Sequence, residues 1–354
     1  MKLSQLLPLA GLAATASASW PEAQGKSIKY TTVQGYFLQD EADTVPGTFD
    51  YASSNLGLLN RTYPTDNDAS GDAPQWERFA RWVSYLNRNC RNKGDVRYKV
   101  LVMGRHGEGW HNAAESFYGT PAWNCYWSVL DGNGTTVWAD PLLTPAGSHE
   151  ALKANAFFKS HFADHGLPYF ESYYTSPLMR CTTTANLTFA DIDLPETRPF
   201  DPVVKEFFRE GISIHTCDRR SSKSHIHAAI PALRFEDGFT EEDELWRGDV
   251  SEGEIQPHQD WRSQSVLDDV FVEDDATWIS VTSHSGEIRS LLRVLGHREF
   301  SLSTGQIIPV LVKAEVVEGT PTTEPLPGFT SEATCDAPPV TSVAGQGCVC
   351  TQTA

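Results

Sequence analysis

The chain has 354 residues, of which 40% are hydrophobic, and its 28 lysines and arginines against 46 aspartates and glutamates give a net charge of −18. A chain of this length and apolar content can bury a sizeable core, which excludes an intrinsically disordered protein. The negative charge argues against nucleic acid as a partner, because phosphate contacts need clustered lysine and arginine. It equally disfavours binding to an anionic membrane surface.

The N-terminus has the pattern of a secretory leader. Lys2 is followed by an apolar run over residues 6–14 and then by Ala16-Ser17-Ala18, a small-x-small cleavage pattern. The run is too short to span a bilayer, which needs about 20 apolar residues. We therefore predict that residues 1–18 are a signal peptide and that the protein is secreted.

Sequons and cysteines point to the same compartment. Three N-x-T triplets occur, at Asn60, Asn133 and Asn186, and each is a potential acceptor of an N-linked glycan. Seven cysteines are plausible in an oxidising environment, and their odd number leaves at least one thiol free or paired between chains. The cysteines lie at positions 90, 125, 181, 217, 335, 348 and 350.

Apolar periodicity predicts strands that alternate with helices. The predicted strands are 30–38, 98–103, 170–175, 277–282 and 307–317, and the predicted helices are 75–92, 145–161, 177–189 and 287–295. Such alternation indicates an α/β fold, a three-layer α/β/α sandwich around a mostly parallel central sheet. We assign this domain to residues 19–317.

Two segments depart from the alternation. Residues 190–262 predict an inserted cap or lid, in which nine acidic residues from Glu236 to Glu254 are interrupted by a single base, Arg247. A run of this kind is expected to be a solvated face. Residues 318–354 are rich in Thr, Pro and Gly and predict an irregular tail tethered by disulfides.

Polar clusters follow three of the predicted strands, at Arg105-His106-Gly107, at Ser176 to Arg180 and at Ser283 to Gly286. In sheets of this kind, ligands bind at the carboxyl ends of the strands. Arginine forks match the oxygens of a phosphate or carboxylate, and a histidine held among arginines stays neutral and nucleophilic. Each residue alone could be structural, but the set together suits phosphoryl transfer through a phosphohistidine.

The same segments resemble the signature of the histidine phosphatase (phosphoglycerate mutase-like) superfamily. Arg105 to Asn112 resembles an R-H-G tripeptide with an Asn seven residues beyond the Arg, Thr175 to Thr182 resembles S-x-x-x-R-x-x-x-T, Ser283 to Arg289 resembles S-H-G-G-x-I-R with Ser285 replacing the first Gly, and Asp140 to Gly147 matches an L-T-x-x-G turn. The resemblance covers roughly residues 95–315, in the family's order.

The resemblance implies a role for each matched residue. His106 would be the nucleophile that becomes phosphorylated. Arg105, Arg180 and His284 would bind the phosphoryl oxygens, with Asn112 assisting, and His284 would also belong to the catalytic set. Charge stabilisation on those oxygens is where such catalysis gains most. The family needs no metal or other cofactor.

The proton donor follows from the branch of the superfamily that the chain resembles. Phytases and acid phosphatases carry R-H-G-x-R-x-P and an Asp after the second His, whereas this chain has Glu108 after R-H-G and Ser285 after His284. It is therefore similar to the R-H-G-E branch, whose acid is a Glu in an L-x-E-type segment. That pattern points to Glu210, with Glu206 and Glu108 as alternatives. A surface acid at a helix end is the non-functional alternative.

Three bases near the start of the predicted cap are candidate substrate contacts. Arg219, Arg220 and Lys223 could hold a remote anionic group of a substrate, or they could form ion pairs with the acidic run that follows. A similar C-D-x-R stretch occurs in plant and fungal mutase-like members of the superfamily. A secreted fungal member fits this stretch, the leader and the sequons. His225-Ile226-His227 resembles half of a metal site, which is a weak signal by itself.

Together these features predict a secreted, metal-independent phosphomonoester hydrolase that acts through a phosphohistidine on His106. Its substrate would be a small phosphorylated or otherwise anionic molecule. One alternative is a phosphomutase, which returns the phosphoryl group to a second hydroxyl. The other is a member redirected to binding or transforming a non-phosphorylated anion. Export favours the phosphatase, because glycolytic phosphate exchange is cytosolic.

Overall fold

The computed structural model describes residues 25–66, 73–90, 95–320, 322–339 and 347–350. The predicted signal peptide lies outside the described residues. The strands are β1 Lys26–Thr32, β2 Val96–Arg105, β3 Ser172–Thr175, β4 Val203–Val204, β5 Arg234–Phe235, β6 Glu252–Glu254, β7 Trp278–Ser283, β8 Ile307–Glu318 and β9 Phe329–Ser331. The helices are α1 Gln75–Asn89, α2 Trp110–Tyr118, α3 Thr120–Cys125, α4 Pro145–Asp164, α5 Met179–Phe189, α6 Lys223–Ala229, α7 Gln256–Glu273 and α8 Ser285–Val294. None of the helices in these ranges is long and apolar enough to cross a membrane.

Seven strands form one central sheet in the order β1-β8-β2-β7-β3-β4-β5. The strands from β2 to β5 in this order run parallel, whereas β8 is antiparallel to both of its neighbours, β1 and β2. The prediction of a mostly parallel α/β sheet is therefore confirmed. A separate two-stranded ribbon pairs β6 with β9.

Helices cover both faces of the sheet, and the side-chain alternation of β2 shows how. Leu101 and Met103 pack with α7 and α8 in one core, whereas Val100 and Val102 pack with α1, α4 and α5 in the other. Successive residues of a strand point to opposite faces, so a strand buried on both sides reads as a continuous apolar run. The three-layer sandwich predicted from the sequence is the observed architecture.

The strand predicted over residues 30–38 is displaced toward the N-terminus, since β1 begins at Lys26 and only residues 30–32 of the prediction are strand. Strand β1 ends at Thr32, and Leu38–Asp40 is a single 3-10 turn. The cause is Asp40, whose Oδ2 accepts hydrogen bonds from the backbone N–H groups of residues 35, 36 and 37. An aspartate that binds its own backbone in this way favours a turn over a strand.

Helix α7 is absent from the sequence prediction, and its buried side chains explain why. In its first half the buried positions are His258, Arg262 and Ser263, and apolar residues take over only from Val266 onward. Periodicity in apolar residues therefore cannot reveal where the helix begins. Pro257 at its first turn is compatible with a helix start, because the missing N–H group needs no partner there.

The segment predicted as a cap extends the sheet as well as covering it. It contributes the short strands β4 and β5 and helix α6. Most of its acidic run is solvated, but two members are buried in ion pairs. Asp243 lies 2.7 Å from Arg209, and Glu254 lies 3.0 Å from Arg262. For these two residues the prediction of a solvated face is wrong, since each neutralises a buried arginine.

Two disulfides involve the C-terminal tail, of which one links it to the rest of the chain and the other lies within it. Cys125 in α3 bonds to Cys348, and Cys335 bonds to Cys350. Residues Cys90, Cys181 and Cys217 are free thiols. The pairing of β9 with β6 holds the tail beside the cap, and Glu332 also accepts a hydrogen bond from Ile214 N at 3.2 Å.

Candidate active site

The carboxyl ends of three adjacent parallel strands bring the predicted motifs together. Arg105 at the end of β2 lies opposite Ser283 at the end of β7, and Thr175 at the end of β3 lies opposite Thr282. The backbone N–H of His106 then donates to Ser283 O at 3.0 Å. The sheet register therefore places the polar residues of all three motifs at one edge, as the sequence predicts.

His106 is a buried imidazole whose hydrogen bonds define its tautomer. Its Nδ1 lies 2.7 Å from Gly107 O, and because a carbonyl only accepts, Nδ1 carries the proton. Its Nε2 then has a free lone pair and accepts from Arg180 Nε at 3.3 Å. Burial, reinforced by the charges of Arg180 and Arg105, holds the pKa of His106 well below its ordinary value. The ring is therefore neutral, with the lone pair on Nε2.

Arg180 is held in place by the cap. The side chain is 1% exposed, and its two terminal nitrogens donate to Cys217 O at 2.5 Å and to Asp218 Oδ1 at 3.1 Å. Ser213 Oγ donates to the other oxygen of Asp218 at 2.7 Å. Although burial lowers the pKa of Arg180, Asp218 raises it beyond its ordinary value. The cap therefore positions a permanently charged guanidinium against His106.

His284 is the second imidazole of the site. Its ring centroid lies 5.1 Å from that of His106. Ser176 Oγ lies 2.7 Å from its Nε2, and the Cys181 thiol lies 3.3 Å from the same atom. Burial and then the charge of Arg180 hold the pKa of His284 well below its ordinary value. The residue is also the N-cap of α8, where helix N–H groups favour an anion.

Arg105 is the last residue of β2, and Asn112 lies in α2, the next helix. Arg105 donates from one terminal nitrogen to Leu302 O at 2.9 Å, while its buried Nε has no hydrogen-bond partner among the described residues. Burial lowers the pKa of Arg105, and the nearby charge of Glu210 opposes that shift. Asn112 Oδ1 accepts a hydrogen bond from Gly109 N at 3.0 Å, which fixes the loop before α2. The amide nitrogen of Asn112 does not take part in that hydrogen bond.

Two glycines explain why the R-H-G and L-T-x-x-G motifs occur together. A Cβ built on Gly107 would lie 2.2 Å from Gly147 O, and one built on Gly147 would lie 2.1 Å from Glu108 O. The backbone after His106 thus touches the first turn of α4 directly. Thr144 caps that turn by accepting from Gly147 N at 3.1 Å, and its own hydroxyl donates to Glu108 Oε1 at 2.6 Å.

The three candidate acids have different surroundings. Glu210 accepts from the backbone N–H of Gly286 at 3.2 Å, two residues beyond His284. Glu108 accepts from Thr144, and Glu206 lies between two arginines, 3.0 Å from Arg209 and 2.8 Å from Arg220. Of the three, Glu210 is the carboxylate placed beside the motif that carries the second histidine.

Each of the three cap bases has a partner, and for Arg219 that partner lies outside the cap. Arg220 is 4% exposed and pairs with Glu206, and its remaining nitrogens donate to carbonyls of residues 240 to 242. Arg220 is thus ion-paired, but with Glu206, which precedes the acidic run, and the acidic residues of the run supply only backbone carbonyls to its side chain. Arg219 pairs with exposed Asp131 at 2.8 Å, and Lys223 lies over the ring of Phe235. His225 and His227 are exposed on α6.

The sequence prediction missed two residues that border the site. His111 is buried, and its ring lies 5.5 Å from that of His106. Burial and then Arg180 lower its pKa well below the ordinary value, so it is a further neutral imidazole. Asp140 accepts from Met179 N at 2.8 Å and from Ser221 N at 2.7 Å, which ties the second motif to the cap. The signal that could have identified them is their position, because His111 lies within the segment 105–112 and Asp140 within the segment 140–147.

One group of side chains in the described part of the chain is close enough to hold a metal ion without being tied up in disulfides. Its ligand atoms, from His215, Cys217 and Asp218, lie within 4.8 Å of one another. The Asp218 carboxylate already accepts from Arg180 and Ser213. The group adjoins the proposed phosphate site.

Neutral imidazoles flanked by buried arginines, at the carboxyl edge of a mostly parallel sheet, define the histidine phosphatase class of α/β protein. The chain is 46% identical over 296 residues to a "Probable phosphoglycerate mutase" of Arthroderma benhamiae, a match that covers 83% of this chain and 87% of the relative. It is 34% identical to "Phosphomutase-like protein 3" of Candida albicans, over 81% of each chain. The chain belongs to the histidine phosphatase (phosphoglycerate mutase-like) superfamily, related to fungal probable phosphoglycerate mutases.

Similarity to solved structures is partial. A phosphoglycerate mutase from Thermus thermophilus is 19% identical, with a TM-score of 0.33 over 59% of this chain and 91% of that chain. A phosphoserine phosphatase from Entamoeba histolytica, solved in complex with 3-phosphoglyceric acid, is 19% identical with a TM-score of 0.33, over 60% of this chain and 94% of that chain. No family model matches the chain.

Proposed function

We propose that this protein is a secreted, metal-independent phosphomonoester hydrolase that acts through a phosphohistidine on His106. The observation that carries the proposal is the state of that side chain. Its Nδ1 is committed to Gly107 O and its Nε2 lone pair is directed at a buried arginine. A neutral imidazole beside a cation can attack a phosphorus atom whose oxygens that cation holds.

In the first step, His106 Nε2 attacks the phosphorus atom of the ester, and the bond from phosphorus to the leaving oxygen breaks. Arg105, Arg180 and His284 hold the three non-bridging oxygens, with the amide of Asn112 as a further donor. Glu210, in its acid form, gives a proton to the leaving oxygen. The alcohol departs and a phosphohistidine remains. Because charge spreads over the phosphoryl oxygens in the transition state, these fixed donors are the main source of rate.

In the second step, water attacks the phosphohistidine. Glu210 now takes a proton from the water, the bond from His106 to phosphorus breaks, and inorganic phosphate leaves. The same groups hold the phosphoryl oxygens in both steps. Glu210 is supported over Glu206 and Glu108 as the acid and base because it accepts from Gly286 N next to the His284 motif, whereas the other two bind arginines or Thr144.

The test is phosphate release from a panel of phosphomonoesters in the presence of EDTA, with His106→Ala as the inactive variant and His225→Ala, a change at an exposed position of α6, as the folded control. Release by the wild type that is lost in His106→Ala supports the proposal. A second measurement traps the intermediate with ³²P-labelled ester and tests its acid lability. Well-folded protein that releases no phosphate and acquires no label contradicts the proposal.

A phosphomutase is the second candidate, favoured by the names of the fungal relatives. The two activities differ in which hydroxyl receives the phosphoryl group from His106. A hydrolase passes it to water, and a mutase retains it until a second hydroxyl of the substrate is in place. Incubation with 3-phosphoglycerate separates them by product. Free phosphate identifies hydrolysis, whereas 2-phosphoglycerate without phosphate release identifies the mutase.

A further inference from the structure

An aromatic groove lies on the surface between α2 and the turn at residues 132–137. Two of its lining side chains are unusually exposed: Phe117 is 82% exposed and Trp110 is 39% exposed. Tyr118 forms its wall and is held rigidly, because it stacks on Trp127 with 4.1 Å between ring centroids. Exposed apolar area of this kind on a protein surface indicates a site where another group binds.

The side chain of Asn133 forms part of this groove. Its Oδ1 accepts from Thr135 N at 3.1 Å, from Thr136 N at 2.9 Å and from Thr135 Oγ1 at 2.8 Å, so the turn fixes the amide. Its Nδ2 donates to the phenolic oxygen of Tyr118 at 2.8 Å. The amide nitrogen of an exposed N-x-T triplet therefore faces an aromatic wall.

The other two triplets have different surroundings. Asn60 is exposed on a loop, next to a charged arginine. Asn186 lies inside helix α5 and is half-buried, and Thr188 of the same triplet is 4% exposed against the α4 layer. A bulky sugar on Asn186 would have to be accommodated against that packing. Of the three triplets, the one at Asn133 is both exposed and adjacent to an aromatic groove.

We propose that Asn133 carries an N-linked oligosaccharide whose first N-acetylglucosamine packs into this groove against Phe117 and Tyr118. The donor is an oligosaccharide on a lipid pyrophosphate. Asn133 Nδ2 loses one proton and bonds to the anomeric carbon, whose bond to the lipid pyrophosphate breaks. The remaining N–H can still donate to Tyr118. The C–H face of the pyranose ring then covers aromatic carbon that would otherwise face water.

This inference requires passage through the secretory pathway and is independent of phosphoryl chemistry at His106. The full chain is expressed in a eukaryotic secretory host, and occupancy is mapped on glycopeptides before and after enzymatic deglycosylation. Thr135→Ala destroys the triplet but keeps Asn133 and its contact with Tyr118, and Thr135→Ser retains the triplet. We expect one glycan to be lost from the intact mass in T135A and kept in T135S. Secreted protein without a glycan on Asn133 overturns the proposal.

Coverage of the groove needs its own measurement. An apolar fluorescent dye reports the exposed aromatic surface of protein trimmed to a single N-acetylglucosamine. We expect T135A to bind more dye than the wild type, and the added change Phe117→Ala to remove that increase. Equal dye binding by glycosylated and unglycosylated protein would overturn the packing. So would a KM for an aryl phosphate that changes with Phe117→Ala in unglycosylated protein, because the groove would then belong to the substrate.

Discussion

The contact between Gly107 and Gly147 makes the site sensitive to a single methyl group. In Gly107→Ala, the new Cβ would lie 2.2 Å from Gly147 O, 2.8 Å from its carbonyl carbon and 3.0 Å from its Cα. Atoms in ordinary contact are about 3.5 Å apart, so one backbone must move by roughly 1 Å. Both partners are main chain, and no flexible side chain can absorb the shift.

The magnitude follows from what resists the movement. Glu108 and Thr144 bind each other through backbone and side chain, at 2.8 and 2.6 Å, and these bonds clamp the R-H-G-E loop to α4. Overpacking of this kind costs about 1–3 kcal/mol of stability. A displacement of ~1 Å at a nucleophile costs on the order of 100-fold in rate. We therefore expect Gly107→Ala to remain folded while its kcat falls on the order of 100-fold.

The assay is a pair of measurements on each variant, namely urea unfolding and kcat for phosphate release. Gly104→Ala is the matched control, because a Cβ there would meet only Ile307 Cγ1, at an ordinary 3.6 Å. It should behave like the wild type in both measurements. A Gly107→Ala variant with wild-type kcat and stability would refute the argument, as would equal losses in Gly104→Ala.

Three further predictions concern the acid, a buried carboxyl and the tail. Glu210→Gln should lower kcat/KM, which reports the step that phosphorylates His106, by about 10²–10⁴ for alkyl phosphates and by much less for p-nitrophenyl phosphate, whose leaving group needs no proton. Burial raises the pKa of Asp268 from 3.8 to about 6. The stabilising contribution of the protonated carboxyl is therefore complete below pH 3.8 and is lost as the pH rises through 6. Urea titrations should show the free energy of unfolding of Asp268→Asn rising by about 1–3 kcal/mol relative to that of the wild type across that interval. Replacing Cys125 and Cys348 by Ser should cost about 2–4 kcal/mol, measured as a lower midpoint of urea unfolding.

Each of these has an outcome that would contradict it. An equal fall in kcat/KM of Glu210→Gln on alkyl and p-nitrophenyl esters would mean that the residue does not protonate the leaving oxygen. Asp268→Asn keeps an Oδ1 that can accept from both Tyr30 and Gln264, so a difference from the wild type that does not change with pH would refute the titration argument. Unchanged stability without the disulfide to Cys348 would mean that this cross-link contributes nothing to the free energy of unfolding.

The assembly of the site could be predicted because its determinants are local. His106, Arg180 and His284 each lie within a few residues of a strand end, and parallel pairing of β2, β7 and β3 is enough to bring them together. Apolar runs located those strands. The expectation that these residues meet at one sheet edge is confirmed by distances such as 3.3 Å between Arg180 Nε and His106 Nε2.

The clamp on Arg180 could not be predicted, because its partners are remote in the chain. Cys217 O and Asp218 reach Arg180 only through the path of the cap, which no local pattern specifies. The same holds for Arg220, whose burial against Glu206 depends on the turn at residues 240–242. A run of charged residues in the sequence does not show which of them are buried. Tertiary structure determines whether each charge faces solvent or pairs with a buried partner.

The position of β1 in the sheet has a consequence for synthesis of the chain. Within the described ranges β1 pairs in the sheet with β8 alone, with Thr32 opposite Val312 and Lys26 opposite Glu318. The strand made first therefore waits for one made about 280 residues later, which at ~5–20 residues per second is roughly 15–60 s. Throughout that interval β1 is an unpaired strand with alternating apolar side chains. A chaperone that binds extended segments would find its earliest binding site in β1. The full pairing of β1 with β8 forms only when residue 318 has left the ribosome.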